Sequence, residues 1–219
     1  MTEDINSRNL KSTGASLLNY RLPRLTNVFL NVIIIVFSAI IAGELLFNCF
    51  FTGIYVVNIS MQPTFNGAIS ENRPGGDFIY VNKWAQPEYG DVVVVYAEVS
   101  GSSGIISRGN LIKRVLAFGG DTVEIIGGVL YRNGEAVDES GYLDSDRNSP
   151  YLNNFPEHKV KEGCMFLLGD NRNKSSDSRE YGDFPISSLV GVVPQWSIDN
   201  KEFTTAVYTY FNFTLLGKN

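Results

Sequence analysis

The chain has 219 residues, a formal net charge of −5 and 44% hydrophobic residues. The acidic balance, with no basic stripe, argues against a nucleic-acid partner. One histidine and two cysteines cannot close a structural zinc site, so neither metal nor cofactor is expected, and Cys49 and Cys164 are read as free thiols. After about 25 residues for a span and about 25 for a leading tail, what remains suits one globular domain.

Residues 1–24 are polar, carry Arg8, Lys11, Arg21 and Arg24, and read as a cytoplasmic tail without fixed structure. From Leu25 to Gly43 nearly every residue is apolar, about the 20 that a helix needs to cross a bilayer, and Glu44 marks the far interface. This predicts an anchor over 25–44 and an outer domain over 45–219. No basic residue follows the span until Arg73, so the N-terminus is expected inside and the bulk of the chain outside. The competing reading is a cleavable secretory signal. The run is long for one, begins late, and has Ile40 and Ile41 interrupting its small residues, so an uncleaved anchor is preferred.

Beyond the span the signals are strands and turns. Ile54–Ile59 reads as a strand leading into Ser60. Further strands are expected at Phe78–Val81 and Val92–Tyr96, with a Gly/Ser-rich loop over Ser100–Gly109 and a short apolar segment at Leu111–Phe118. A meander follows from Thr122–Ile126 to Val129–Arg132, with turns at Gly127-Gly128 and Asn133-Gly134. Asp138–Pro156 reads as an exposed polar excursion, with His158 in a loop-like stretch beside it. Cys164–Leu168 and Leu189–Val193 are the last clear strands. No stretch of this domain has helical periodicity, and Phe203–Leu216 is read as a strand or an interfacial tail. The fold class is therefore mainly β, antiparallel, with one N-terminal transmembrane helix.

The chemistry centres on Ser60-Met61-Gln62-Pro63-Thr64, placed just beyond the apolar run. A serine hydroxyl needs a base, and with His158 in a loop a lysine is the better candidate. Lys83 is flanked by turn-like residues and reads as solvated. Lys113 lies in Leu111-Ile112-Lys113-Arg114-Val115, where strand alternation puts it on the face of Leu111 and Val115. Burial there would depress an amine that titrates at about 10.4 in water. The alternative is a lysine whose ammonium snorkels to water, and alternation alone favours that reading. A dense polar stretch, Gly169-Asp170-Asn171-Arg172-Asn173-Lys174-Ser175-Ser176-Asp177-Ser178-Arg179, supplies side chains that could orient a buried amine.

Together these stretches resemble bacterial type I signal peptidase, the membrane-bound serine protease family of the Ser/Lys class. Ser60-Met61-x-Pro63-Thr64 is similar to the nucleophile box, and Gly90-Asp91-Val92-Val93 to the next strand box. Lys113-Arg114-Val115 with Gly120-Asp121 is similar to the lysine box, and Gly169 through Arg179 to the last box. Four boxes in order cover essentially the whole chain from the span to about Val193. Two departures stand out. Ala117 and Gly119 occupy positions where the family more often has glycine and proline, and Asn58 stands where it often has serine or glycine.

The resemblance implies Ser60 as nucleophile and Lys113 as general base, with Ser175 hydrogen-bonding the lysine amine. Asp177 and Arg179 would shape the site, and Met61 would pack beside the pair. Asn58 either donates its amide to the oxyanion or points away and leaves the Ser60 N–H to serve. The resemblance also implies a β-fold with a variable excursion over about 127–156, and secretory preproteins cut after a small-x-small site as substrates. It implies membrane lipid as surroundings, in the bacterial cytoplasmic membrane with the catalytic domain on the outer face. Two alternatives compete with this reading: a self-cleaving Ser/Lys protease of the repressor type, and an inactive homologue serving as a preprotein-binding or assembly scaffold. The second would be expected to lose Ser60 or Lys113.

Overall fold

The computed structural model describes residues 24–70, 75–100 and 106–215, which form two compact units divided between Cys49 and Phe50. The tail over 1–23 and the tip of the Ser100–Gly109 stretch lie outside the described residues. The first unit is helix α1, Arg24–Phe50, and it is the one helix among the described residues long and apolar enough to cross a membrane. At about 1.5 Å per residue its 27 residues reach roughly 40 Å, beyond the thickness of a hydrocarbon core. Glu44 therefore does not end it. Leu45-Leu46-Phe47 continues the apolar run, and glutamate itself favours helix.

The second unit is mainly antiparallel β-structure. In chain order its strands are β1 Phe51–Tyr55, β2 Phe78–Asn82, β3 Val92–Ser100, β4 Ile106–Phe118, β5 Thr122–Ile126 and β6 Val129–Arg132. Then come β7 Glu135–Ala136, β8 Phe155–Lys159, β9 Cys164–Leu168, β10 Phe184–Pro185 and β11 Leu189–Val192. A seven-stranded sheet runs β1-β2-β11-β3-β4-β9-β10, and a four-stranded sheet runs β7-β6-β5-β8. Three apolar clusters form the core, the first around Met61, Phe65 and Val94, the second around Val95, Val115 and Leu167, the third around Leu116, Leu130 and Phe166.

β4 connects the two sheets and carries the chemistry. It pairs with β3 from Arg114 back to Ile106, so much of the expected Gly/Ser-rich loop is strand. On its other side β9 reaches only from Phe118 to Arg114. A register shift between Val115 and Ala117 breaks the alternation there and sends Leu116 and Ala117 together into the third cluster. Leu111 and Val115 belong to the second cluster, on the common face that alternation predicted for them.

Several sequence expectations are corrected. The strand expected over Ile54–Ile59 stops at Tyr55, where its ladder with β2 ends at Phe78; Val57 adds an isolated bridge to Ala68, and Asn58 then turns the chain through a left-handed φ of 71°. The excursion expected over 127–156 belongs to a sheet that opens at Thr122 and closes at Lys159, and His158 sits in its last strand rather than in a loop. Nor is Asp138–Pro156 simply exposed, since Glu139 and Asn153 are buried. The domain also contains helices: α2 Ser178–Tyr181, α3 Gln195–Asp199 and α4 Lys201–Thr209, with a π-helical turn at Tyr210–Leu215. The expected strand or tail at Phe203–Leu216 is thus helical as far as Leu215, and Leu216 lies outside the described residues. Its Phe, Thr, Val and Tyr residues have strand propensity, but docking onto β2 overrides it.

Candidate active site

Ser60 is held in a short turn beyond Asn58. The Asn58 N–H donates to Ala68 O at 3.0 Å, the Gln62 N–H to Ile59 O at 3.2 Å and the Phe65 N–H to Met61 O at 2.9 Å. Met61 and Phe65 are sunk in the core and anchor the turn from below. Glycine is required at position 67, where a Cβ would lie 1.5 Å from Asn58 O. The Gly169–Arg179 loop is tied to the same turn, with Asn171 N–H donating to Ser60 O at 3.0 Å and its side chain to Ile59 O at 3.1 Å.

Lys113 comes from β4, where it pairs with Val93. Its Nζ lies 3.0 Å from Ser60 Oγ and donates to Ile112 O at 2.9 Å. The residue is only 3% exposed. Burial pushes the amine down from 10.5 to about 8, and the nearby Arg179 pushes the same way, while Asp177 and Asp170 oppose it from a distance. The snorkelling alternative is therefore not what the structure shows. Lys83 lies exposed in the turn after β2.

The neighbouring groups form a frame. Asp177 is fully buried, accepts the Gly169 N–H at 3.0 Å and pairs with Arg179 through two contacts of 2.8 Å. Arg179 also donates to Asn153 Oδ1 at 2.7 Å and to Arg172 O at 3.0 Å. Beside Lys113, Arg114 forms a fork with Asp170 at 2.8 and 2.6 Å, and Thr64 Oγ1 donates to the same carboxylate. Arg172 is paired with buried Glu139, which also accepts from Tyr142 OH at 2.7 Å. The Tyr142 ring lies 3.8 Å under the Arg114 guanidinium. The excursion thus braces the polar loop, a role for Glu139, Tyr142 and Asn153 that no sequence signal carried. Arg114 and Asp170 fall inside the quoted boxes, but nothing in the sequence paired them.

One residue differs from what the resemblance implied. Ser175 Oγ is buried and has no hydrogen-bond partner among the described residues, while the Lys113 amine meets Ser60 Oγ and donates to Ile112 O. Its closeness to the loop shows at Gly169, where a Cβ would meet Ser175 Oγ at 2.2 Å and Ser60 O at 2.5 Å. Asn58 is exposed and lines a cleft of about 500 Å³ that also contains Ser60 and Lys113. The walls of that cleft are residues 53–58 and 109–113. Among the described residues, no group of three or more His, Cys, Asp or Glu could hold a metal.

A sequence model described as "Signal peptidase, peptidase S26" matches residues 29–196. The chain belongs to the signal peptidase S26 family. Among curated relatives, a probable signal peptidase I-1 from Synechocystis sp. is 33% identical over 142 residues, covering 63% of this chain and 66% of that protein. Thylakoidal processing peptidase 1 of Arabidopsis thaliana is 32% identical over 148 residues, covering 62% and 38%. A signal peptidase I of Bacillus caldolyticus is 30% identical over 159 residues, covering 65% and 77%. The chain thus spans under two thirds of the length of the first two. A crystal structure of a signal peptidase I from Enterococcus faecalis aligns with 50% of this chain and 98% of its own, at 26% identity and a TM-score of 0.39.

Proposed function

We propose that this chain is a membrane-anchored serine endopeptidase that removes signal peptides from secretory preproteins, with Ser60 as nucleophile and Lys113 as general base. One observation carries the reading: a buried amine, lowered to about 8, lies 3.0 Å from a serine hydroxyl at the floor of an open cleft. A neutral amine at that distance takes the hydroxyl proton as Oγ attacks the scissile carbonyl. The Ser60 N–H, with or without the Asn58 amide, steadies the oxyanion. The ammonium of Lys113 then returns its proton to the departing amine, leaving an acyl ester on Ser60. Water, deprotonated by the same lysine, hydrolyses that ester. Asp177 and Arg179 hold the loop behind the lysine and take no part in bond making.

The cleft suits an extended peptide. β1 is an edge of the large sheet, and β9 leaves β4 without a strand partner on that side before Arg114. Both free edges face the cleft, so a substrate backbone can add between them by strand pairing. A small-x-small site fits a groove floored by Met61 and Ile112. α1 serves as the single-pass anchor, with the N-terminus cytoplasmic by the positive-inside rule and the catalytic domain, from Phe51 onward, on the outer face of a bacterial cytoplasmic membrane. Lipid and preproteins are then its partners. The scaffold alternative gains no support, as Ser60 and Lys113 are both present and adjacent.

The test is cleavage of a preprotein bearing an Ala-x-Ala site, in lipid, across pH. Activity is expected to rise with a midpoint near 8, the pKa of the buried lysine, and Ser60→Ala and Lys113→Ala are expected to be inert. Cleavage by Lys113→Ala would shift the search to Lys83.

A further inference from the structure

α4 begins beyond residue 196, where the family match stops, yet it is fastened to β2, the neighbour of the edge strand that lines the cleft. Thr205 Oγ1 accepts the Phe78 N–H at 2.7 Å, and Thr204 Oγ1 donates to Phe78 O at 2.6 Å. One helical turn on, Tyr208 stacks on Phe78 with centroids 4.2 Å apart and planes 10° apart. It also stacks on Tyr55 at 5.2 Å and 23°. Tyr55 and Phe78 are register partners across β1 and β2, so the three rings form one slab. Tyr55 is in turn fixed by the Gly76 N–H, which donates to its hydroxyl at 2.9 Å. Both Tyr55 and Tyr208 line the cleft that holds Ser60.

We propose that Tyr208 is a specificity-determining residue, an aromatic wall supplied by the C-terminal helix against which an apolar substrate side chain packs upstream of the scissile bond. The inference rests on reading the cleft as a peptide groove. Tyr55 stands five positions before Ser60 on the same wall, and the chain turns at Asn58 between them, so the slab lies no farther from the nucleophile than about five extended residues. An extended substrate therefore meets the slab within about five residues upstream of its cleaved bond. A flat stack of rings favours an aliphatic or aromatic side chain there, because burial is favourable. It disfavours a carboxylate, which would lose water against the ring faces. Tyr208 touches substrate but not the reacting atoms, so its effect falls on binding.

The experiment separates this inference from the catalytic reading by measuring binding on the full-length Ser60→Ala chain in lipid nanodiscs. The probes are fluorescent peptides with an Ala-x-Ala site and Leu, Ala or Asp five residues before the bond. The Leu peptide is expected to bind about tenfold tighter than the Asp peptide, the equivalent of partial burial of one leucine. Adding Tyr208→Ala should bring that ratio within about twofold by weakening the Leu peptide alone, whereas Tyr208→Phe should preserve it. Tyr208→Leu keeps an apolar side chain under the helix, guards against a folding failure of the alanine variant, and should cut the ratio about threefold. The proposal is overturned if the ratio survives both Tyr208→Ala and Tyr208→Leu, if all three peptides weaken equally, or if none binds. Cleavage by the chain with Ser60 intact is scored separately, so an inert protease refutes the catalytic reading while the binding ratio still decides this one.

Discussion

Lys113 and Arg114 follow one another on β4 and are both buried, at 3% and 7% exposure, yet their surroundings treat charge in opposite ways. Arg114 is locked to Asp170 by a fork, donates to Gly90 O at 2.6 Å and rests on the Tyr142 ring. Among the described residues Lys113 makes no ion pair; its contacts are a hydroxyl and a carbonyl. A guanidinium stays charged in any site, so its burial demands a carboxylate, and the pair then acts as a structural clamp. An amine can shed its proton, and a site that withholds a carboxylate favours that form. Two adjacent cations thus divide into a frame and a base. The backbone of β4 explains how they can, since the partners come from different segments: Asp170 from the loop after β9, and Ser60 from the turn after Asn58.

The most direct way to break this contrast is to make the two sites alike. Lys113→Arg keeps length and charge but installs a group that cannot deprotonate. Activity is expected to fall about 10⁴-fold, the scale on which nucleophile–base units fail, read by single-turnover cleavage in lipid. Retention of more than a tenth of the activity would remove Lys113 from the chemistry.

Removing the partner of the other cation comes next. Asp170→Ala leaves the Arg114 guanidinium buried without its carboxylate and strips Thr64 of an acceptor. A loss of about 3–5 kcal/mol in stability is expected, measured by urea unfolding. A loss under about 1 kcal/mol would mean that water reaches the guanidinium and that the pair is not the clamp described.

Sequence patterning carried most of the β-structure and little of its bracing. Strands such as Thr122–Ile126 and Val129–Arg132 were legible because glycine and asparagine turns bracket short β-branched runs. α4 was not, because its residues favour strands and its helix is held by hydroxyls docked on β2. Ser60 and Lys113 were legible as candidates through their boxes, 53 positions apart, but not their contact, which depends on the turn at Asn58 and the close approach allowed by Gly67 and Gly169. Glu139 and Tyr142 look like members of a solvated loop in sequence. Only the fold brings them against Arg172 and Arg114.

The base itself should be a stability liability. In the folded chain Lys113 titrates at about 8 against 10.5 when unfolded, so between those values the unfolded chain binds more protons. Stability from this group therefore rises with pH across that window, and below pH 8 the full penalty, on the order of 3 kcal/mol, is in place. Lys113→Met, which keeps the apolar stem, is expected to raise the melting temperature at pH 6. Its advantage should shrink as pH climbs from 8 past 10. A difference between the two proteins that does not vary with pH would show that the gain came from packing alone.

The smallest effect tests whether frame and base are separable. Tyr142→Phe keeps the ring beneath Arg114 and deletes only the hydroxyl that donates to Glu139. One hydrogen bond to a charged acceptor is lost, and Glu139 keeps its Arg172 partner, so a stability loss of about 1 kcal/mol is expected. If the frame acts only by holding shape, the activity should change less than about twofold and the pH midpoint should stay where Lys113 sets it. A shifted midpoint would mean that the charge network behind Arg114 reaches the lysine, and the division between the two cations would have to be redrawn as one coupled site.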